Sequence, residues 1–249
     1  MDFKVKGNSR YNVRLIDGVV EKSTTTEDGR LYKSILKQLS FKSNYFSTPD
    51  VYEYSHSKFN MEYIKGESFY QFLTTASKRD LDGFIQKLDG YFEERIIGEV
   101  EIPIEILIKK LKEISADTYY IDKFSKQNNI TVKVGPCHGD MTLSNMIFTD
   151  KIYLIDFLDS YIESPTIDLV KLRQDTHLYW SLNMIDDEVD TTKIKIGLNY
   201  IDNWLVDKYK IDNYELFQII NLLRIFPYTK NEKIKKYLDY NLKKLCEHL

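Results

Sequence analysis

Asp140, Asn145 and Asp156 carry hard oxygen donors and fall within one short stretch of the chain. The stretch reads His138-Gly139-Asp140-Met141-Thr142-Leu143-Ser144-Asn145, then Leu154-Ile155-Asp156-Phe157. Between the two segments lie apolar runs at 146–149 and 152–155, joined by Asp150-Lys151, the pattern of a small β-hairpin. Asp140 and Asn145 precede its first strand and Asp156 closes its second. A hairpin brings its outer ends together, so the three side chains converge. Two carboxylates and an amide carbonyl suit Mg2+ together with water and nucleotide phosphates. One carboxylate is left to accept or orient an attacking hydroxyl, which is what phosphoryl transfer requires. Any one Asp or Asn alone is ordinarily a polar cap; the combination at this spacing reads as a site.

Other elements must position that hairpin. Residues 11–16 and 19–24 are β-prone runs separated by Asp17-Gly18, a strong hairpin signal. Residues 30–39 read as a helix, with Leu31, Ile35, Leu36 and Leu39 at helical spacing. Residues 51–54 and 59–64 read as further strands, ending near Gly66. From Glu67 onward the period is helical. Leu81, Phe84, Ile85, Leu88, Tyr91 and Phe92 form one stripe, and Pro103 opens another helix. Ile194, Leu198, Ile201, Trp204 and Leu205 form a third stripe; Ile234, Tyr237, Leu238, Leu242 and Leu245 form a fourth. Such stripes are core faces. The outline is α+β: a strand-rich N-terminal lobe over 1–65 and a larger helical lobe over 66–249.

Composition narrows the class. The 249 residues carry 35 basic and 38 acidic side chains, a formal charge of -3. No net positive field exists to displace counterions from nucleic acid. No apolar run reaches the ~18 residues of a membrane span, and residues 1–6 lack a signal-peptide core. With only Cys137 and Cys246 there is no disulfide framework. A cytoplasmic protein with two reduced thiols is expected, and nothing assigns an oligomeric state.

The motif residues resemble the catalytic core of the aminoglycoside phosphotransferase/choline kinase family, which has a protein-kinase-like fold. His138, Gly139, Asp140 and Asn145 match its His-Gly-Asp-x-x-x-x-Asn loop, and Ile155-Asp156-Phe157 matches its metal motif. The resemblance implies a bilobal fold using ATP and Mg2+. It implies His138, Asp140 and Asn145 as catalytic-loop residues, with Asp140 the base, and Asn145 and Asp156 as metal ligands. Asp168-Leu169 looks like the family's structural cap on the catalytic region. Lys22 resembles the phosphate-binding lysine, and residues 60–66 resemble the interlobe hinge, where adenine would meet backbone groups near Glu62 and Ile64. Gly7-Asn8-Ser9-Arg10 stands where a glycine-rich loop would lie, and Ser9 would face a phosphate. The family's usual Glu partner for the lysine is replaced by Ser34, with Glu27 an alternative acid.

The expected activity is phosphorylation of a small-molecule hydroxyl: an amino alcohol such as choline, a sugar, or an aminoglycoside. The alternatives are a nucleotide-binding pseudokinase and, disfavoured by the short stretch between Asp156 and Asp168, a protein kinase. Asp159, Glu163, Asp175, Asp186, Asp187, Glu188 and Asp190 would suit a cationic acceptor if they lined its pocket, but a solvated loop with Asp190 as a cap is the preferred reading. Tyr179, Trp180, Tyr200, Trp204 and Tyr228 are read as core rather than as an aromatic cage. His177 is read as a helix residue.

Overall fold

The Asp17-Gly18 turn takes positive φ at both positions, 49° and 80°, the turn geometry that matches the twist of paired strands. It joins β1 (Asn12–Ile16) to β2 (Val19–Ser23), followed by α1 (Arg30–Ser40), β3 (Val51–Tyr54) and β4 (Lys58–Glu62). The computed structural model describes residues 11–26, 28–185, 190–247 and 249. Ser9, Glu27, Asp186, Asp187 and Glu188 lie outside the described residues. The described strands form an antiparallel sheet in the order β1-β2-β4-β3. Leu31 and Ile35 of α1 pack on Phe59 and Met61 of β4. Leu36 and Leu39, expected on the same stripe, stay exposed.

Strand β4 stops at Glu62, two residues before the expected end at Ile64. Its last partner is Val19, where β2 itself begins. Beyond that pair the chain has no strand to follow, and Tyr63, Ile64 and Lys65 run free toward the helices.

The helical part comprises α2 (Phe69–Thr75), α3 (Lys78–Arg95), α4 (Glu105–Glu113), α5 (Thr118–Phe124), α6 (Pro165–Thr176), α7 (Trp180–Asn183), α8 (Thr192–Lys208), α9 (Tyr214–Ile225) and α10 (Glu232–Cys246). Two antiparallel pairs are embedded in it: β5 (Gly98–Ile102) with β6 (Ile130–Val134), and β7 (Met146–Phe148) with β8 (Ile152–Leu154). The second pair is the expected hairpin. The first was not expected: β5 is exposed along nearly its whole length, although Val100 and Ile102 alternate with Glu99 and Glu101. Among the described residues no helix is long and apolar enough to cross a membrane.

Helix α6 is the centre of this part. Ser164 opens it, its Oγ accepting from the Thr166 N–H at 3.1 Å, with Pro165 in the first turn. Leu169 and Leu172 belong to one apolar core, shared with α3, α8 and the β7–β8 hairpin. Ile167 and Val170 belong to a second, shared with α4, α9 and α10. With cores on two sides α6 is buried almost throughout, yet it carries Asp168, Lys171 and Asp175. Buried charge is costly unless partnered, and the partners of these three define the site.

Candidate functional site

Positions 168, 171 and 175 fall on one stripe of a helix. Asp168 is fully buried and accepts three hydrogen bonds, from the His138 N–H at 2.6 Å, the Gly139 N–H at 2.8 Å and the Tyr91 hydroxyl at 2.9 Å. Burial lifts its carboxyl pKa to about 6 against the pull of those donors. Asp175 accepts from the Leu143 N–H at 2.6 Å and the Ser181 N–H at 2.8 Å, and burial lifts its pKa to about 6 as well. Between them the Lys171 Nζ lies 2.9 Å from Asp140 Oδ1. One helix face therefore holds the start of the 138–145 loop, its carboxylate, and its middle.

His138 is fully buried. Its Nδ1 accepts from the Asp140 N–H at 3.2 Å, so Nε2 carries the proton and donates to the Ile155 carbonyl at 2.9 Å. Burial drives its pKa down to about 4, which leaves a neutral ring bracing the loop against the end of β8. Gly139 has φ 89°, and a side chain there would run into the Leu158 carbonyl. Cys137 precedes the loop as a buried thiol whose pKa burial pushes up to about 12, so no thiolate forms near neutral pH.

Asn145 donates its amide N–H to the Asp140 carbonyl at 2.8 Å and to Asp140 Oδ2 at 3.1 Å. That fixes the amide so that its oxygen faces away, without a partner among the described residues. The Ile155 N–H donates to the Asn145 carbonyl at 3.0 Å, which places Asp156 beside it. Asp156 has φ 61°, a left-handed conformation that costs a non-glycine residue about 1 kcal/mol or more and concentrates at functional sites. Its Oδ1 takes the Lys22 ammonium at 2.8 Å across 134 residues of chain. Its other oxygen has no partner among the described residues. The two unpartnered oxygens, on Asn145 and Asp156, fit a Mg2+ ion, which takes one or two protein ligands and completes its shell with water and phosphate. The described residues hold no cluster of three or more His, Cys, Asp or Glu that would form an all-protein cage.

Burial alone would raise the Asp140 carboxyl, but the opposing groups, Lys171 foremost, hold its pKa below the ordinary carboxylate value. Lys22 is almost fully buried and sits 4.7 Å from the centre of the Tyr11 ring. At the crossing between sheet and helices, the Glu62 N–H is taken by the Asp50 carbonyl at 2.8 Å. The N–H and carbonyl of Ile64 have no partner among the described residues. The structure thus brings together Lys22, Asp140, Asn145 and Asp156, with His138 behind them and Glu62 and Ile64 on the connecting segment.

Ser34 donates to the Arg30 carbonyl at 3.0 Å within its own helix, and Lys22 finds its acid in Asp156 instead. Helix α1 presents bases toward the site: Lys33 to Asp159 at 3.0 Å, and Lys37 to Glu163 at 2.8 Å and to the Leu158 carbonyl at 3.0 Å. Several acids considered for a cationic acceptor are therefore engaged. Asp159 and Glu163 hold α1, Asp175 holds main chain, and Asp190 accepts from the Thr192 N–H at 2.9 Å at the start of α8. Tyr179, Tyr200 and Trp204 pack against one core and Trp180 against the other, whereas Tyr228, expected in the core, stays exposed at the surface. His177 ends α6 beside Asp202, at 3.6 Å. Lys171 was absent from the sequence expectation, and Asp175 entered it only as one of the acids that would suit a cationic acceptor. Their signal was charge at i, i+3 and i+7, counted from Asp168, inside an apolar run opened by Ser-Pro.

No family model matches the chain, nor does any curated protein sequence. The fold is shared with solved kinases. ADP-bound aminoglycoside phosphotransferase APH(2'')-Ib aligns with a TM-score of 0.54 and 17% identity, covering 99% of this chain and 92% of that one. A thermostable mutant of APH(4)-Ia, in ternary complex with AMP-PNP and hygromycin B, aligns at 0.58 and 10%, over 99% and 93%. A choline/ethanolamine kinase family protein from Mesorhizobium loti aligns at 0.54 and 13%, over 100% and 87%. At these identities the likeness is one of fold: a small antiparallel sheet region above a mostly helical part, as in protein kinases.

Proposed function

We propose that this protein is an ATP- and Mg2+-dependent phosphotransferase acting on a hydroxyl of a small molecule. The observation that carries the reading is the convergence, on a kinase fold, of Asp140 with the unpartnered oxygens of Asn145 and Asp156 and with Lys22. Adenine would hydrogen-bond the free backbone at Ile64, next to Glu62. Lys22 would offset charge on the nucleotide phosphates, as such lysines do. Asn145 and Asp156 would hold Mg2+, which supplies charge neutralisation across the phosphates when bound. Asp140 would accept a hydrogen bond from the acceptor hydroxyl and orient its oxygen for in-line attack. His138 would keep the loop in register from behind.

A nucleotide-binding protein without turnover also needs Lys22 and Asp156. It does not need an ionised carboxylate anchored on both oxygens beside them, and Asp140 is such a group. The structural neighbours bind aminoglycosides or belong to choline/ethanolamine kinases, which makes amino alcohols, sugars and aminoglycosides the acceptor classes proposed here. The engaged acids at 159, 163 and 175 would not be the groups that recognise an amine.

The test is a coupled ADP-release screen over choline, ethanolamine, sugars and aminoglycosides. Turnover of one acceptor, lost by about 100-fold or more in Asp140→Asn with Mg·ATP binding retained, is the expected result. Full turnover in that variant refutes the assignment of Asp140.

A further inference from the structure

Each functional carboxylate of the site holds one buried lysine. Lys22 pairs with Asp156 at 2.8 Å, and Lys171 pairs with Asp140 at 2.9 Å; the lysine side chains are 4% and 9% exposed. The first pair follows from the sheet facing the hairpin. The second has no counterpart in the loop itself. Between Asp140 and Asn145 the chain reads Met141-Thr142-Leu143-Ser144, with no basic residue, and Met141 and Leu143 are buried. The cation is brought instead from beneath, by the helix that also anchors the loop main chain through Asp168 and Asp175.

We infer that Lys171 is a positioning residue for Asp140, holding its carboxylate aimed through Oδ1 while Asn145 holds Oδ2. The inference rests on the phosphotransferase reading of the site. A carboxylate oxygen has room for more than one donor, so both anchors leave space for an acceptor hydroxyl. In a loose phosphoryl-transfer transition state the hydroxyl proton leaves late, so position matters more than basicity. A paired carboxylate meets that requirement, and an unpaired one would also repel the incoming phosphates.

The experiment compares wild type with Lys171→Met and Lys171→Arg. ADP release is measured with water as the acceptor, so no identified substrate is needed. Lys171→Met is expected to lose about tenfold or more in kcat, with KM for Mg·ATP unchanged. Lys171→Arg is expected to recover most of the rate. A KM for Mg·ATP that rises along with the loss, or a loss not rescued by Arg, reduces Lys171 to a packing residue. A wild type that neither binds nor turns over Mg·ATP overturns the phosphotransferase reading itself, and with it any role for Lys171 in the reaction.

Discussion

Replacing Asp168 by Asn tests whether one buried carboxylate organises the 138–145 loop. Asp168 accepts from two loop N–H groups and the Tyr91 hydroxyl. The Asn amide keeps one accepting oxygen and turns its NH2 toward a former donor. Hydrogen bonds to a charged group contribute about 1.5–3 kcal/mol, and a buried orphan donor costs about 1–3 kcal/mol. Loss of a buried charge partly offsets both, so a net destabilisation of about 2 kcal/mol near pH 7 is expected. The cost should change with pH in a set direction. The folded pKa is about 6 against an ordinary 3.8, so the folded state binds a proton that the unfolded state releases. This contribution to stability is fully present below the unfolded pKa and is lost as pH rises through the folded one. At about pH 5 it amounts to about 1.4 kcal/mol, and it falls to nearly zero at about pH 7. The Asn variant lacks it, so its penalty should be about 1 kcal/mol larger at the lower pH. His138 and Asp175 titrate in the same window, but both are present in the two proteins and drop out of the difference. Urea unfolding followed by the fluorescence of Trp180 and Trp204, at both pH values, measures it. A penalty independent of pH, or one that shrinks toward pH 5, refutes the reasoning.

Two further substitutions probe the surroundings. Gly139→Ala combines a positive φ with a collision against the Leu158 carbonyl. It should cost about 2 kcal/mol or more, read as a lowered Tm, with turnover lost through displacement of Asp140. Lys37→Met removes the ammonium that bonds Glu163 and the Leu158 carbonyl. A loss of about 1 kcal/mol should appear as faster amide exchange confined to α1 and the 158–163 segment; unchanged exchange there means that the contact does not hold the helix.

The parts of the site visible in the sequence are those whose geometry is local. Asp17-Gly18 has a turn preference that acts on neighbouring residues alone. The loop from His138 to Asn145 and the hairpin after it span few residues, so spacing was enough to place Asp140 beside Asn145. Asp168 was read as a cap because its neighbours matched a known motif. Lys171 and Asp175 were not, since a charged residue in a helix ordinarily faces water. Their burial follows from two cores closing on α6 from opposite sides, which no single stretch of chain announces. The β5–β6 pair was hidden for a related reason: two helices separate its strands, and β5 buries almost nothing.

The missing acid on α1 shows how a local departure can be absorbed by the global arrangement. With Ser34 in place of a carboxylate, Lys22 would be a buried ammonium without a counterion, a costly state. Asp156 supplies the counterion directly, at 2.8 Å, and does so from the left-handed backbone that turns its side chain toward the sheet. That choice leaves α1 without an ionic tie to Lys22, and Lys33 and Lys37 provide another, to Asp159, Glu163 and the Leu158 carbonyl beyond Phe157. The helix is thus fastened to the segment following Phe157 rather than to the strand that carries Lys22. On the proposed function, nucleotide arriving at Lys22 would compete for an ammonium already held by Asp156, while the same Asp156 would gain a metal with the nucleotide. Loss of one partner and gain of the other would then be a single exchange at one carboxylate, and α1 would not need to move for it to occur.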